Sequence, residues 1–132
     1  MGWVFFFCFI LLFGLIILAN VCCEQKAKQK TAKIEGSLND LRKDILVVTS
    51  GSIPGKNIKR IFGNVTGISN TQAKNREQFT LAEREAMHNL MLEAQKLGAN
   101  AIIDLKLSTG TYQIAGSQQV SQSVYNGTAV QI

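Results

Sequence analysis

"LEAQKLGANAIIDLKLSTG", Leu92 to Gly110, carries the clearest local structure in this chain. A helical apolar pattern stops at Gly98, and an alternating apolar segment begins at Ala101. Upstream, Ala86, Met87, Leu90, Met91, Ala94 and Leu97 recur at helical spacing and mark one apolar face. Thr80 with Glu83 has the form of a capping box, which sets the expected start of that helix. Gly98 tolerates the left-handed conformation that ends it. Downstream, Ala101, Ile103, Leu105 and Leu107 are expected on one face of a strand, with Ile102, Asp104, Lys106 and Ser108 on the other. One face then lies under the helix while the other stays partly wet.

Earlier in the chain, "DILVVTSGS" reads as a strand closed by Ser-Gly-Ser, and "IPGKN" as a turn with Pro54 and Gly55 at its centre. "IKRIFGNVTGISN" alternates imperfectly, and Gly63 and Gly67 suggest a bulge or a close backbone approach. "NTQAKNREQF" is expected to be a polar loop. A last strand, "QQVSQSVYNGTAVQI", carries an irregularity at Gly127 and pins the terminus in the sheet. The fold class is therefore α+β: a small, mostly antiparallel sheet with one long amphipathic helix packed on it. So small a core leaves sheet edges to hide, and burying them between identical copies is the usual remedy.

The amino-terminal region answers to a different solvent. Trp3 to Val21, "WVFFFCFILLFGLIILANV", holds no charge and five of the seven phenylalanines. About 20 such residues, at about 1.5 Å each, cross a bilayer core. No basic residue precedes the run and Val21-Cys22-Cys23 is a poor cleavage site, so a retained transmembrane helix over residues 1–23 is expected rather than a cleaved signal. Lys26, Lys28, Lys30 and Lys33 follow directly and place the remainder on the cytoplasmic side of the inner membrane. Residues 24–44 form a basic juxtamembrane linker with a short amphipathic helix, its stripe made by Ile34, Leu38, Leu41 and Ile45, and Gly36 argues against one unbroken rod. Residues 45–132 are the α+β domain. Cys8, Cys22 and Cys23 all sit in or beside the apolar run, so the soluble part has no disulfide framework.

Composition excludes several functions. The net charge of +5 is divided between linker and domain and forms no stripe with aromatic platforms, which argues against nucleic-acid binding. There is no G-x-S-x-G elbow around Ser50 or Ser52, no acid partner evident for the lone histidine, and no phosphate loop in "GSIPGKN". Asn64-Val-Thr66 and Asn126-Gly-Thr128 have the form of glycosylation sequons, without relevance on a cytoplasmic strand. The chain is not expected to be an enzyme, and no cofactor is expected.

"ILVVTSGSIPGKNIKRIFGNVTG", "EREAMHNLMLEAQKLGANAIIDLKL" and "YNGTAV" resemble, in this order, the pattern of YbjQ-like proteins, also labelled the putative heavy-metal-binding domain family. The most specific positions are Gly55, Gly63, Thr66, Gly67, Gly98, Ala99, Asn100, Ala101, Gly127, Thr128 and Ala129. The resemblance implies a small α+β domain assembling into homopentamers, sometimes stacked in pairs, with no established reaction. The segment "ISNTQAKNREQFT" is shorter than its counterpart in typical members, and the membrane helix is an addition. The metal label finds little support: residues 45–132 contain no Cys and one His, whereas a transition-metal site needs several converging ligands. His88, expected on a solvated helix side one turn from Arg84, could contribute only as one ligand per subunit around an axis, as could Glu85 or Asp104.

The function expected is a membrane-anchored, self-assembling interaction or scaffold protein whose partners are its own copies and the bilayer, with no other protein specified. The alternatives are a small-ligand or metal-binding module at a subunit interface and an envelope stress or sensor component. A pore is disfavoured because the span contains no ionisable residue.

Overall fold

The computed structural model describes residues 2–116 and 118–132. Two helices pack on a four-stranded mixed sheet, in the chain order α1 (Gly2–Asp44), β1 (Leu46–Val47), β2 (Arg60–Ile68), α2 (Arg76–Lys96), β3 (Ala101–Ile114) and β4 (Gln118–Gln131). The strand order is β1-β3-β4-β2; β1 runs parallel to β3, and the other pairings are antiparallel.

Helix α1 crosses residues 23 and 36 without a break. A helical glycine costs about 1 kcal/mol relative to alanine, and Gly36 is outweighed by the packing on either side of it. The segment 24–44 is therefore continuous helix rather than a linker with a separate short helix. The stripe read from the sequence packs on its own domain, with Leu38, Leu41 and Ile45 buried and Ile34 half-buried beside them. They meet Leu90, Met91 and Ala94 of α2 over Val65, Ile102 and Ala129 of the sheet. Glu35 pairs with Arg84, Ser37 with His88, and Leu38 and Leu41 join the cluster of Leu90 to Ala94. Numbers rise together along both helices, so α1 and α2 lie parallel.

The start of α2 lies earlier than the Thr80–Glu83 pair suggests. Asn75 is the N-cap, its side-chain oxygen accepting from the Gln78 amide at 2.9 Å, while Gln78 Oε1 accepts from the Lys74 amide at 2.9 Å. These bonds satisfy amides otherwise left bare at a helix start. Thr80 lies a full turn inside, its hydroxyl donating to the Arg76 carbonyl. At the other end Gly98 takes φ +80°, and the Ala99 and Gly98 amides donate to the Ala94 and Gln95 carbonyls. This doubly bonded glycine stop is the one the sequence announced.

The alternation expected in β3 breaks at Asp104. Two residues, Asp104 and Leu105, oppose Gly127 alone, because the register with β4 shifts between Ile103 and Lys106. Asp104 has φ +52°, and this bulge reverses which residues face which layer. Ile102 and Leu105 therefore share the helix-side core, whereas Ala101 and Ile103 pack with Ile53, Val130, Val48 and Ile132 on the opposite face. Leu107 is 43% exposed. Loop residues 48–53 thus cover one end of the second face, leaving the rest of it open.

Of the bulge and the close approach that Gly63 and Gly67 left open, the structure gives Gly67 the close approach. A Cβ there would overlap the Ala86 carbonyl and the Leu90 amide of α2 and lie 2.7 Å from Leu90 Cβ. The overlap is with helix backbone, which cannot step aside as a flexible side chain would. Gly67→Ala should lower the unfolding free energy by about 3 kcal/mol, at the upper end of core overpacking. Gly110→Ala, where a Cβ meets nothing within 4 Å, should change it little. Chemical denaturation followed by circular dichroism checks the contrast.

Candidate functional site

The open part of the second sheet face gathers polar side chains from three adjacent strands. Asn64 and Thr66 stand on β2 opposite Thr128 and Asn126 of β4. The Thr66 hydroxyl donates to Asn126 Oδ1 at 2.8 Å, and the Thr128 hydroxyl to Asn64 Oδ1 at 3.3 Å. Asp104 and Lys106 of β3 complete the border of an open depression of ≈ 380 Å³, with Gly127 in its floor.

The backbone fixes Asp104 firmly. Its amide donates to the Ser50 carbonyl at 3.0 Å, and Gly51 lies so close that a Cβ there would stand 3.5 Å from Oδ1. A non-glycine residue in the left-handed region is uncommon outside asparagine, aspartate and histidine. Such strain persists only where neighbours over-determine it. The site therefore offers one fixed carboxylate, one ammonium and a lattice of hydroxyl and amide groups. Both threonine protons are given to asparagine oxygens, which ties the two strands together across the depression. The arrangement suits hydrogen-bonded binding.

The three metal-ligand candidates do not come together within one chain. His88 Nε2 lies 2.9 Å from the Ser37 hydroxyl and is half-buried against α1, not on a solvated helix side as expected. Glu85 accepts from the Thr71 amide at 2.7 Å and the Thr71 hydroxyl at 2.9 Å, fastening the loop before α2. Asp104 is in the sheet layer, in the open depression away from both. Among the described residues no three His, Cys, Asp or Glu side chains gather as a metal site. A heavy metal wants thiolate or imidazole donors, and the donors around Asp104 are oxygens beside a lysine, so the residues do not fit one. Tyr125 is no candidate base either: burial pushes its phenol pKa up, and Glu83 adds to the rise.

Most of the motif residues serve the fold. Gly55 (φ +72°) follows Pro54 in a turn closed by the Lys56 amide on the Ile53 carbonyl, and Gly63 (φ +123°) sits at the bulge between β2 and β4. Ala99, Ala101 and Ala129 are buried. Asn100 donates to the Ile132 carbonyl at 3.2 Å and accepts from its amide at 2.9 Å, which pins the last residue beside β3. Gly127 admits Ile102, whose Cγ2 would lie 2.6 Å from a Cβ there. Of the motif residues, Thr66, Gly127 and Thr128 border the depression, and only the two threonines bring polar side chains to it. Sequence reasoning missed Asn64, Lys106 and Asn126; the signal available was the pair of Asn-x-Thr tripeptides, whose alternation on two strands aims both at one face. Lys26, Lys28, Lys30 and Lys33 are exposed along α1, as are all three cysteines.

A family profile described as "Putative heavy-metal-binding" matches residues 71–132. The UPF0145 protein of Trichormus variabilis is 33% identical over 88 residues, covering 65% of this chain and 82% of that one. The UPF0145 protein of Clostridium perfringens is 32% identical over 106 residues, covering 65% and 95%. A solved protein of unknown function from Pediococcus pentosaceus is 21% identical and covers 67% of this chain and 97% of its own, with a TM-score of 0.47.

The donor chemistry gives a direct test of the metal description. With Cys8, Cys22 and Cys23 replaced by serine, the purified chain incubated with zinc and desalted should retain far less than stoichiometric metal by elemental analysis. Stoichiometric retention abolished by His88→Ala would instead establish a site shared between subunits.

Proposed function

The chain belongs to the YbjQ-like, UPF0145 family, and from that membership together with the open edges of its sheet we propose that it is a membrane-tethered assembly module. Its reading is a scaffold and not an enzyme: α1 spans the bilayer, the domain lies on the cytoplasmic face of the inner membrane, and copies of the domain join edge to edge. The observation that carries the assembly is the sheet itself. On one side β2 is an edge strand of nine residues, with Ile61 64% exposed and Ile68 47% exposed. On the other side β1 is only two residues long, so β3 past Leu105 also presents an unpaired edge. Two different edges on opposite sides of one sheet suit a head-to-tail contact, which closes into a ring when the rotation allows. The copy number of five comes from the family resemblance.

The tether is supported by the first half of α1. Its apolar side chains from Trp3 to Leu18 are all exposed in the isolated chain, and the helix is long and apolar enough to cross a membrane. A soluble monomer rarely shows so large an apolar surface. Continuity with a second half that is part of the core favours a retained anchor over a cleaved leader. The four exposed lysines after the apolar run favour the cytoplasmic orientation. An envelope sensor would need the opposite orientation.

Native mass spectrometry of the detergent-solubilised chain should give a closed oligomer. Ile61→Lys should convert it to smaller species without loss of helical signal, because that side chain lies outside the core. A monomeric native chain would remove the assembly reading. For orientation, single cysteines introduced at exposed positions of the domain, in a background without native cysteines, should react with an impermeant maleimide only after lysis. Labelling in intact cells would reverse the topology.

A further inference from the structure

The β3–β4 hairpin runs past the end of α2, and its tip carries apolar side chains into an otherwise basic neighbourhood. The strands β3 and β4 pair out to Tyr112 with Val120 and Ile114 with Gln118. Tyr112 and Ile114 share one face of β3, two residues apart, and each is 39% exposed.

Contacts fix the level of this tip along α1. Ser121 pairs with Thr111 and exchanges two backbone hydrogen bonds with Ala73, at 2.8 and 2.9 Å. Thr111 and Ser121 border the same groove as Asn75 and Arg76, so this rung of the hairpin is level with the first turn of α2. That turn borders another groove with α1, where Glu77 and Thr80 face Lys28 and Thr31. Strand β3 starts at the carboxyl end of α2 and so runs back towards the amino-terminal half of α1. Three residues beyond Thr111, at about 3.3 Å each, carry the tip about 10 Å further. About 10 Å along a helix is roughly seven residues. Counted back from Lys28, that reaches Val21, where the apolar run ends.

Lys26, Lys28, Lys30 and Lys33 on α1, with Lys74 and Arg76 before and at the start of α2, are exposed around this level. The acidic side chains among them are Glu24, Glu77 and Glu35, the last already paired with Arg42 and Arg84. An aromatic residue with a polar tip, an aliphatic neighbour and a surround of lysine and arginine is the side-chain set that sits at a lipid headgroup boundary.

We propose that the tip of the β3–β4 hairpin is a second membrane contact, with Tyr112 and Ile114 entering the headgroup region of the bilayer that α1 spans and the cations holding anionic phospholipid around them. This rests on the tether proposed above. The contact fixes the sheet's tilt to the membrane, so the edges offered to neighbouring copies all face along the membrane plane.

The test uses the full chain in nanodiscs of phosphatidylcholine with phosphatidylglycerol. In a Trp3→Phe background, Tyr112→Trp should show blue-shifted emission that is quenched by lipids brominated near the glycerol end of the acyl chain. Emission typical of water without quenching overturns the contact. Trp3 in the otherwise native chain serves as the reporter for α1. Quenching of Trp3 without quenching at position 112 overturns the hairpin contact and leaves the tether standing, whereas no quenching at either position removes both. Amide exchange of the unmutated chain avoids any effect of substitution: the outer hairpin rungs should exchange more slowly in anionic than in neutral nanodiscs. Equal rates in the two count against the contact.

Discussion

The packing of Leu38, Leu41 and Ile45 against α2 and the sheet is the contact on which the other features depend. These side chains lie at, and just past, the far end of a helix whose first half is apolar on every side. One continuous helix therefore joins an exposed apolar surface to a packed core. Its second half, packed into the core, sets the direction in which the first half leaves the domain. A flexible linker would have left the sheet free to tumble relative to the apolar segment. A continuous helix gives β2, the hairpin and the polar depression a defined attitude relative to the apolar segment.

Two glycines and one strained aspartate let the layers meet. Gly67 brings the backbone of β2 against that of α2, and Gly127 receives Ile102 from the neighbouring strand. The bulge at Asp104 then reverses the facing of β3, which sends Leu105 into the helix-side core and leaves Asp104 beside Lys106 in the open depression. A regular strand would have continued the pleat and placed Leu105 on the face opposite Ile102. The same irregularity that completes the core therefore builds the candidate site.

Membership of the family sets the frame for function without naming a ligand. The oxygen-rich, lysine-bearing character of the depression and the separation of His88, Glu85 and Asp104 turn the reading from heavy-metal chemistry towards hydrogen-bonded contact. His88 illustrates the difference between pattern and structure. On its own helix it falls on the polar side, but α1 covers that side and supplies Ser37 as its partner.

The helix stop at Gly98, the turn at Pro54 and Gly55, the stripe of Ile34 to Ile45, the apolar amino-terminal run and the α+β class can be read from the residues alone, and Gly63 and Gly67 can be read as a bulge or a close approach. Each is a local matter of spacing, of a backbone angle or of a missing side chain, so a few neighbouring residues suffice. The Asp104 bulge, the unbroken passage through Gly36 and the meeting of the two Asn-x-Thr tripeptides were settled by contacts across the fold. In each, competing local options differ by about 1 kcal/mol, and contacts from residues distant in the chain select among them.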